Sequence, residues 1–316
     1  MSNFQKRQEL FDQLSSHRQR TLLTLVTSTK KPEQLFATQI AQDILPLFYQ
    51  ILGGISKGEK LDILIYSSGG QIDVPWPLMN LMREYSDDIH AIIPWRAHSA
   101  ATLLVLGTNE IGMGPLASLS PIDPQFQLKL ADKQIVGASV EDIYGYYRLI
   151  NETLNLDSVG RSEALKLLAS RVTPEVLGKI SRVRREIRII ATNLLHLHMN
   201  ENVKIEKIVK ALVEDLPSHQ YLINRKEAAD LGLPVYHLDK KTENLSFQIL
   251  ESYMNEASMG EVGMAVAFGP DAVKTIDMNR AFIETKDRSF TFRSKYTFHR
   301  DGKVDRKGDK WEEGQK

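Results

Sequence analysis

Apolar positions change their spacing twice along the chain. In the first regime, short apolar runs alternate with stretches of helical period. Phe4, Leu10, Phe11 and Leu14 mark one face of a helix over residues 4–20. The run at 21–27, TLLTLVT, has the composition of a strand. Phe36, Ile40, Ile44, Leu45, Phe48 and Ile51 predict a helix over 36–51, stopped by Gly53-Gly54. The run at 61–66, LDILIY, lacks two-face alternation, as a strand buried on both faces would. A helix follows over 74–85, with Pro75 and Pro77 in its first turn. A strand at 90–94 and a helix at 100–106 repeat the alternation. Strands and helices in this order predict a parallel sheet with right-handed crossovers.

The second regime, over 140–216, is helical almost throughout. Its longest helix, 176–199, carries Lys179, Arg182, Arg184, Arg185 and Arg188, which read as a solvated or inter-subunit face. Asn224 and Glu227 have the spacing of a capping box, so a helix should run to Leu231 and stop at Gly232. Strand-like 234–238 and helical 245–253 follow. The third regime is antiparallel in character: Phe290, Phe292, Tyr296 and Phe298 alternate with polar residues. The pattern therefore divides the chain into a main domain over 1–258 and a small β-rich segment over 259–316, whose polar tail is expected to fray.

Composition narrows the function classes. The chain has 316 residues, 42% hydrophobic and 25% charged, an ordinary globular profile. Forty basic and 40 acidic residues give a net charge of +0, which argues against a global affinity for nucleic acid. With 0 cysteines there are no disulfides, thiolate metal sites or cysteine nucleophile. The N-terminal stretch lacks a signal-like apolar core, and no apolar run approaches membrane-spanning length. The expectation is a soluble, cytoplasmic protein without cofactor, metal or membrane anchor.

The candidate chemistry lies at the ends of three strand-like runs. Ser67-Ser68-Gly69-Gly70, Arg96 to Ala101 and Gly114 to Pro124 each follow such a run, so their polar groups can converge at one sheet edge. Ser99 stands where a strand turns into a helix, where unpaired N–H groups favour a developing oxyanion. The N–H groups of Ala100 and Gly70 are the candidate oxyanion donors. Ser99 as a simple helix cap is the bland alternative; for Gly69-Gly70 it is a tight turn, and for Asp123 a rigid Asx turn between prolines.

Three segments in this order resemble the Clp-fold serine peptidases. Tyr66 to Asp73 resembles their glycine-rich oxyanion loop, and Ala97 to Thr102 their nucleophile turn. Gly114 to Gln125 is similar to the segment GPxxSxxPIDPQ of the serine dehydrogenase proteinase family, a signal-peptide-peptidase-like branch. Glu227 to Leu233 resembles a further EAxxxGL segment of Clp and crotonase folds. The likeness runs from about Leu23 to Tyr236. It implies an α/β spiral of the Clp/crotonase type, with a helical extension and a small C-terminal β appendage. It also implies serine endopeptidase activity on peptide or unfolded protein, and homo-oligomerisation.

The family's Ser-Asp-His order makes Ser99 the nucleophile and Asp123 the orienting carboxylate. ClpP-type enzymes carry a histidine soon after the nucleophile; this chain has Leu119 to Pro124 there and no histidine. The base is then sought downstream among His196, His198, His219, His237 and His299, with His219 favoured because it precedes the capped helix. Lys166 and Lys179 stay open as bases of a Ser-Lys dyad. Other classes also remain open: a crotonase-like acyl-CoA enzyme using the same paired N–H donors, or an inactive oligomeric scaffold.

Overall fold

The computed structural model describes residues 3–123, 125–129, 135–216, 218, 220–260 and 273–314. In chain order the first half comprises α1 (Asn3–Arg18), β1 (Thr21–Thr27), α2 (Glu33–Phe36), α3 (Leu45–Leu52), β2 (Leu61–Tyr66), α4 (Pro75–Arg83), β3 (Ile89–Ile93), β4 (Arg96–Ala97), α5 (Ala100–Val105), β5 (Glu110–Met113), β6 (Ser118–Leu119), β7 (Gln125–Lys129) and β8 (Ile135–Ser139). The second half comprises α6 (Val140–Arg148), α7 (Ser158–Arg171), α8 (Pro174–His196), α9 (Asn202–Lys210), β9 (Ile223–Asn224), α10 (Arg225–Leu231), β10 (Val235–His237), α11 (Lys240–Glu256), β11 (Val273–Glu284), β12 (Ser289–His299) and β13 (Val304–Glu313).

One mixed sheet of eight strands organises these elements, in the order β10-β5-β3-β2-β1-β11-β12-β13. The first five are parallel; β11, β12 and β13 join antiparallel through β1. Alternate residues of β2 enter two different cores. Leu61, Ile63 and Ile65 pack with α3, α4, α5 and α8, whereas Leu64 and Tyr66 pack with α1 and α11. This two-sided burial explains the unbroken apolar run, and each aliphatic side chain so enclosed contributes about 1.5–3 kcal/mol. The capping box at Asn224 is formed in both directions, and Gly232 ends α10 at φ 103.

Three sequence expectations are corrected. The single helix over 36–51 is broken: α2 ends at Phe36, and α3 begins only at Leu45. Between them Ile40 is extended, its N–H donating to Gly69 O at 2.9 Å and its carbonyl accepting from Gln71 N–H at 2.8 Å. Backbone spent on that bridge cannot also form a helix, and Pro46 fits only a first helical turn. The tail does not fray as a whole, since Val304–Glu313 is a strand on β12. Trp311 secures it, packing on Phe292 at 5.2 Å and donating its indole N–H to Asp43 at 2.9 Å. The basic face of α8 is only partly solvated: Arg184 and Arg188 are drawn into ion pairs with Glu141, Glu214 and Glu206.

Candidate active site

The site is assembled at the C-terminal ends of β2 and β3. Beyond β2, Ser67 is fully buried, and its hydroxyl accepts from Thr27 Oγ1 at 2.8 Å and from Gly69 N–H at 3.0 Å. Its backbone bridges Ala97: Ser67 N–H donates to Arg96 O at 3.2 Å, and His98 N–H donates to Ser67 O at 3.0 Å. The turn Ser68-Gly69-Gly70 is thereby fixed beside the turn that carries Ser99. Gly69 has φ 105, and a Cβ there would lie 2.7 Å from Ser99 Cβ and 3.0 Å from Ala100 N. At Gly70 a Cβ would meet Ile40 O at 2.1 Å, so the bridge to Ile40 requires glycine.

Ser99 precedes α5 with φ 52 and ψ −117, a conformation that costs a non-glycine residue about 1–3 kcal/mol. Several hydrogen bonds hold it there. Ser99 N–H donates to Ser120 Oγ at 2.8 Å, and Ser120 Oγ donates to Pro121 O at 3.0 Å. Thr102 Oγ1 donates to Ala97 O at 2.7 Å and accepts from Ser120 N–H at 3.1 Å. The Ser99 hydroxyl makes no capping bond to α5, and the residue is 8% exposed. Among the described residues, the Gly70 and Ala100 N–H groups enter no hydrogen bond, although the backbone around them is paired.

Asp123 is 5% exposed and lies beyond β6. Glu141 N–H, at the start of α6, donates to Asp123 Oδ1 at 3.3 Å. Ile122 N–H donates to Leu212 O at 2.9 Å, tying the Asp123 segment to the wide turn Ala211–Asp215. A cavity of about 550 Å³ opens here, lined among others by Asp123, Glu141, Arg148, Glu214, Ser218 and Gln220. Burial pushes the Glu141 carboxyl above its ordinary value; Arg184 and Arg148 pull it back, and the charge of Asp123 adds to the rise.

Gly69 thus packs against Ser99 and Ala100. Ser120, which accepts the Ser99 N–H, stands three positions before Asp123 in the chain, whereas the cavity that Asp123 borders is lined by Pro121 and not by Ser99. His219 lies outside the described residues; its neighbours Ser218 and Gln220 line the cavity that Asp123 borders. The other candidate bases are engaged or exposed. His198 Nε2 is 2.8 Å from Leu106 O, and His98, which adjoins Ser99 and is not among those candidates, has its Nε2 2.9 Å from Ser118 Oγ. His299 pairs with Asp305, and His196 and His237 are exposed. Lys166 pairs with Glu163 on the surface, and Lys179 is exposed on α8. Sequence reasoning passed over Ser67, Thr102 and Ser120, which hold the two turns together. The SLSP run preceding Ile122 was visible, but its serines carry no mark of their partners. Among the described residues no group of acidic or histidine side chains has the arrangement of a metal site, and no helix is long and apolar enough to cross a membrane.

No family model matches the sequence. An uncharacterised protein of Methanocaldococcus jannaschii is 22% identical over 254 residues, which span 78% of this chain and 78% of that protein. Among solved structures the chain is similar to ClpP1 from Listeria monocytogenes, at 13% identity and a TM-score of 0.39, covering 74% of this chain and 98% of that one. A mutant of the same ClpP1 aligns at 12% identity and a TM-score of 0.36, with the same coverage.

Proposed function

We propose that the chain is a serine peptidase of the Clp-fold type that cleaves peptide bonds through an acyl-enzyme on Ser99. The observation that carries this reading is the state of Ser99. It is held at φ 52, its hydroxyl caps no helix, and it stands against a glycine turn. Nearby N–H groups of Gly70 and Ala100 have no hydrogen-bond partner among the described residues. A plain N-cap serine needs none of this strain.

The chemistry follows the logic of nucleophile, base and orienting acid. His219 accepts the Ser99 hydroxyl proton as Oγ attacks the scissile carbonyl carbon. The carbonyl oxygen takes up the displaced electron pair, and the Gly70 and Ala100 N–H groups stabilise the oxyanion. Collapse expels the amine, which takes the proton from His219 and leaves an ester on Ser99. Water, deprotonated by His219, hydrolyses the ester. Asp123 holds the imidazole in the required tautomer and stabilises its charged form. Support for the last two assignments is the shared cavity of Asp123, Ser218 and Gln220.

Labelling by a fluorophosphonate tests the reading. Wild type should be labelled at Ser99, Ser99→Ala not at all, and His219→Ala and Asp123→Ala at least about a hundredfold more slowly. Undiminished labelling of Ser99→Ala would remove Ser99 as nucleophile. Labelling that survives His219→Ala but fails in Lys166→Ala or Lys179→Ala would assign a Ser-Lys dyad instead.

A further inference from the structure

Three consecutive carbonyls at the end of α2 accept hydrogen bonds from side chains of the C-terminal sheet. The Tyr296 hydroxyl donates to Leu35 O at 2.7 Å, Arg280 Nε donates to Phe36 O at 3.2 Å, and Arg280 Nη2 donates to Ala37 O. A helix end leaves such carbonyls without partners of its own. Arg280 Nη1 is tied in turn to Ser294 Oγ at 2.8 Å. The Arg280 side chain is 3% exposed, and its ion-pair partner Asp309 stands 3.8 Å away. The buried charge is therefore held chiefly through charge-assisted bonds to main-chain oxygens. Its direction is set by the strand. The register of β11 on β12 slips between Asn279, opposite Arg293, and Ala281, opposite Phe292. Arg280 is the extra residue of that bulge, a device that re-aims a side chain.

The residues so held lead directly to the glycine turn. Ala37 is extended, with ψ 155. Thr38 Oγ1 donates to Arg280 O, which also accepts from Ser28 N–H at 2.7 Å, and Thr38 N–H donates to Ser28 O at 2.9 Å. Two residues on, Ile40 N–H donates to Gly69 O and Ile40 O accepts from Gln71 N–H. Gly70 lies between those two bonds. The Gly69 carbonyl and the Gly70 N–H belong to one trans peptide plane and point in opposite directions. The bond from Ile40 to Gly69 O therefore aims the Gly70 N–H away from Ile40. We propose that Arg280 is a positioning residue for the oxyanion hole: its guanidinium and its carbonyl anchor residues 36–38, these place Ile40, and Ile40 aims the Gly70 N–H. This rests on the assignment of Ser99 and Gly70 above, and it gives the C-terminal sheet a part in the site.

Two measurements on the full chain test it. Fluorophosphonate inactivation, followed against probe concentration, gives a maximal rate and a half-saturation concentration. Arg280→Met should lower the maximal rate about tenfold or more, because a misdirected donor is lost from the transition state. The half-saturation concentration should stay within about twofold. Arg280→Lys, which keeps the charge but not the planar fork, should recover part of the rate. Amide hydrogen exchange gives a readout that a general loosening would not: it should quicken at Ile40 and Gln71 by a larger factor than in β2 and β3. Thr38→Val, which removes the hydroxyl bond to Arg280 O, should move both measurements the same way by a smaller factor. It decides the matter if Arg280→Met does not fold. Wild-type rates in Arg280→Met, or in Thr38→Val where that variant stands alone, would overturn the proposal, as would exchange that quickens equally at all these amides. Wild type that is not labelled at Ser99 defeats the peptidase reading itself and ends any catalytic part for Arg280, whereas labelled wild type with unaltered variants defeats this proposal alone.

Discussion

Gly69 and Ser99 occupy each other's space. The backbone of Gly69 passes so close to Ser99 that one added methyl group would sit 2.7 Å from its Cβ. The same residue has φ 105, which L side chains resist. Gly69→Ala should therefore cost about 1–3 kcal/mol in denaturant unfolding, and it should also displace Ser99 and abolish fluorophosphonate labelling. Labelling at the wild-type rate would show that the contact does not position the nucleophile. At this scale the candidate site was partly legible. Gly-Gly after an apolar run, and serine at a strand-to-helix turn, are visible because they are local devices of backbone geometry. Ser120 was not legible, since its value lies in accepting the N–H of a residue 21 positions away. Arg184 was read as a surface cation for the same reason, because its partners Glu141 and Glu214 lie outside its own helix.

Among the elements, those specified by local periodicity or capping chemistry appear where the pattern puts them. The two-sided burial of β2 and the capping box of α10 are examples. Elements specified by long-range pairing do not. Residues 37–41 have apolar spacing compatible with a helix, yet Ile40 is claimed by the Gly69-to-Gln71 backbone. β13 carries a polar sequence, DRKGDKWEE after Val304, and is a strand because β12 presents an edge for it to pair with. Its anchoring falls on Trp311. Trp311→Ala should destabilise the protein by about 1–3 kcal/mol, with loss of amide protection concentrated in residues 304–313. Unchanged exchange in that strand would assign its stability to the backbone ladder alone.

For the whole molecule, stability should depend on pH through a histidine at the opposite end of the helix that Ser99 heads. His198 packs against the end of α5, its Nε2 2.8 Å from Leu106 O. Burial depresses its pKa below the ordinary 6.5, and the nearby charges of Arg83 and Lys204 depress it further, while the bond to Leu106 opposes them. The unfolded chain then binds more protons than the folded one between that depressed value and 6.5. Stability from the neutral imidazole is present above 6.5 and is lost as pH falls through the window below it. His90 is depressed in the same direction, first by burial and then by Arg20, although Glu110, Asp88 and Asp62 counteract it. The midpoint of thermal unfolding should therefore fall between about pH 7 and about pH 5, and His198→Gln should reduce the fall. An equal fall in the variant would place the titration elsewhere.

What the sequence by itself determined is the local grammar of the protein. It specified the buried strands, the capped helix, the glycine turn and the serine at the head of α5. Each of these depends on residues within a few positions of one another. The tertiary structure decided which of those pieces meet. It joined the C-terminal strands to the main sheet through β1, spent Ile40 on holding Gly70, and aimed Ser120 at the backbone of Ser99. It also turned one arginine of a basic helix toward two carboxylates behind Asp123. These outcomes depend on groups tens of residues apart whose mutual placement is set by the packing of the sheet, and no local pattern encodes that placement.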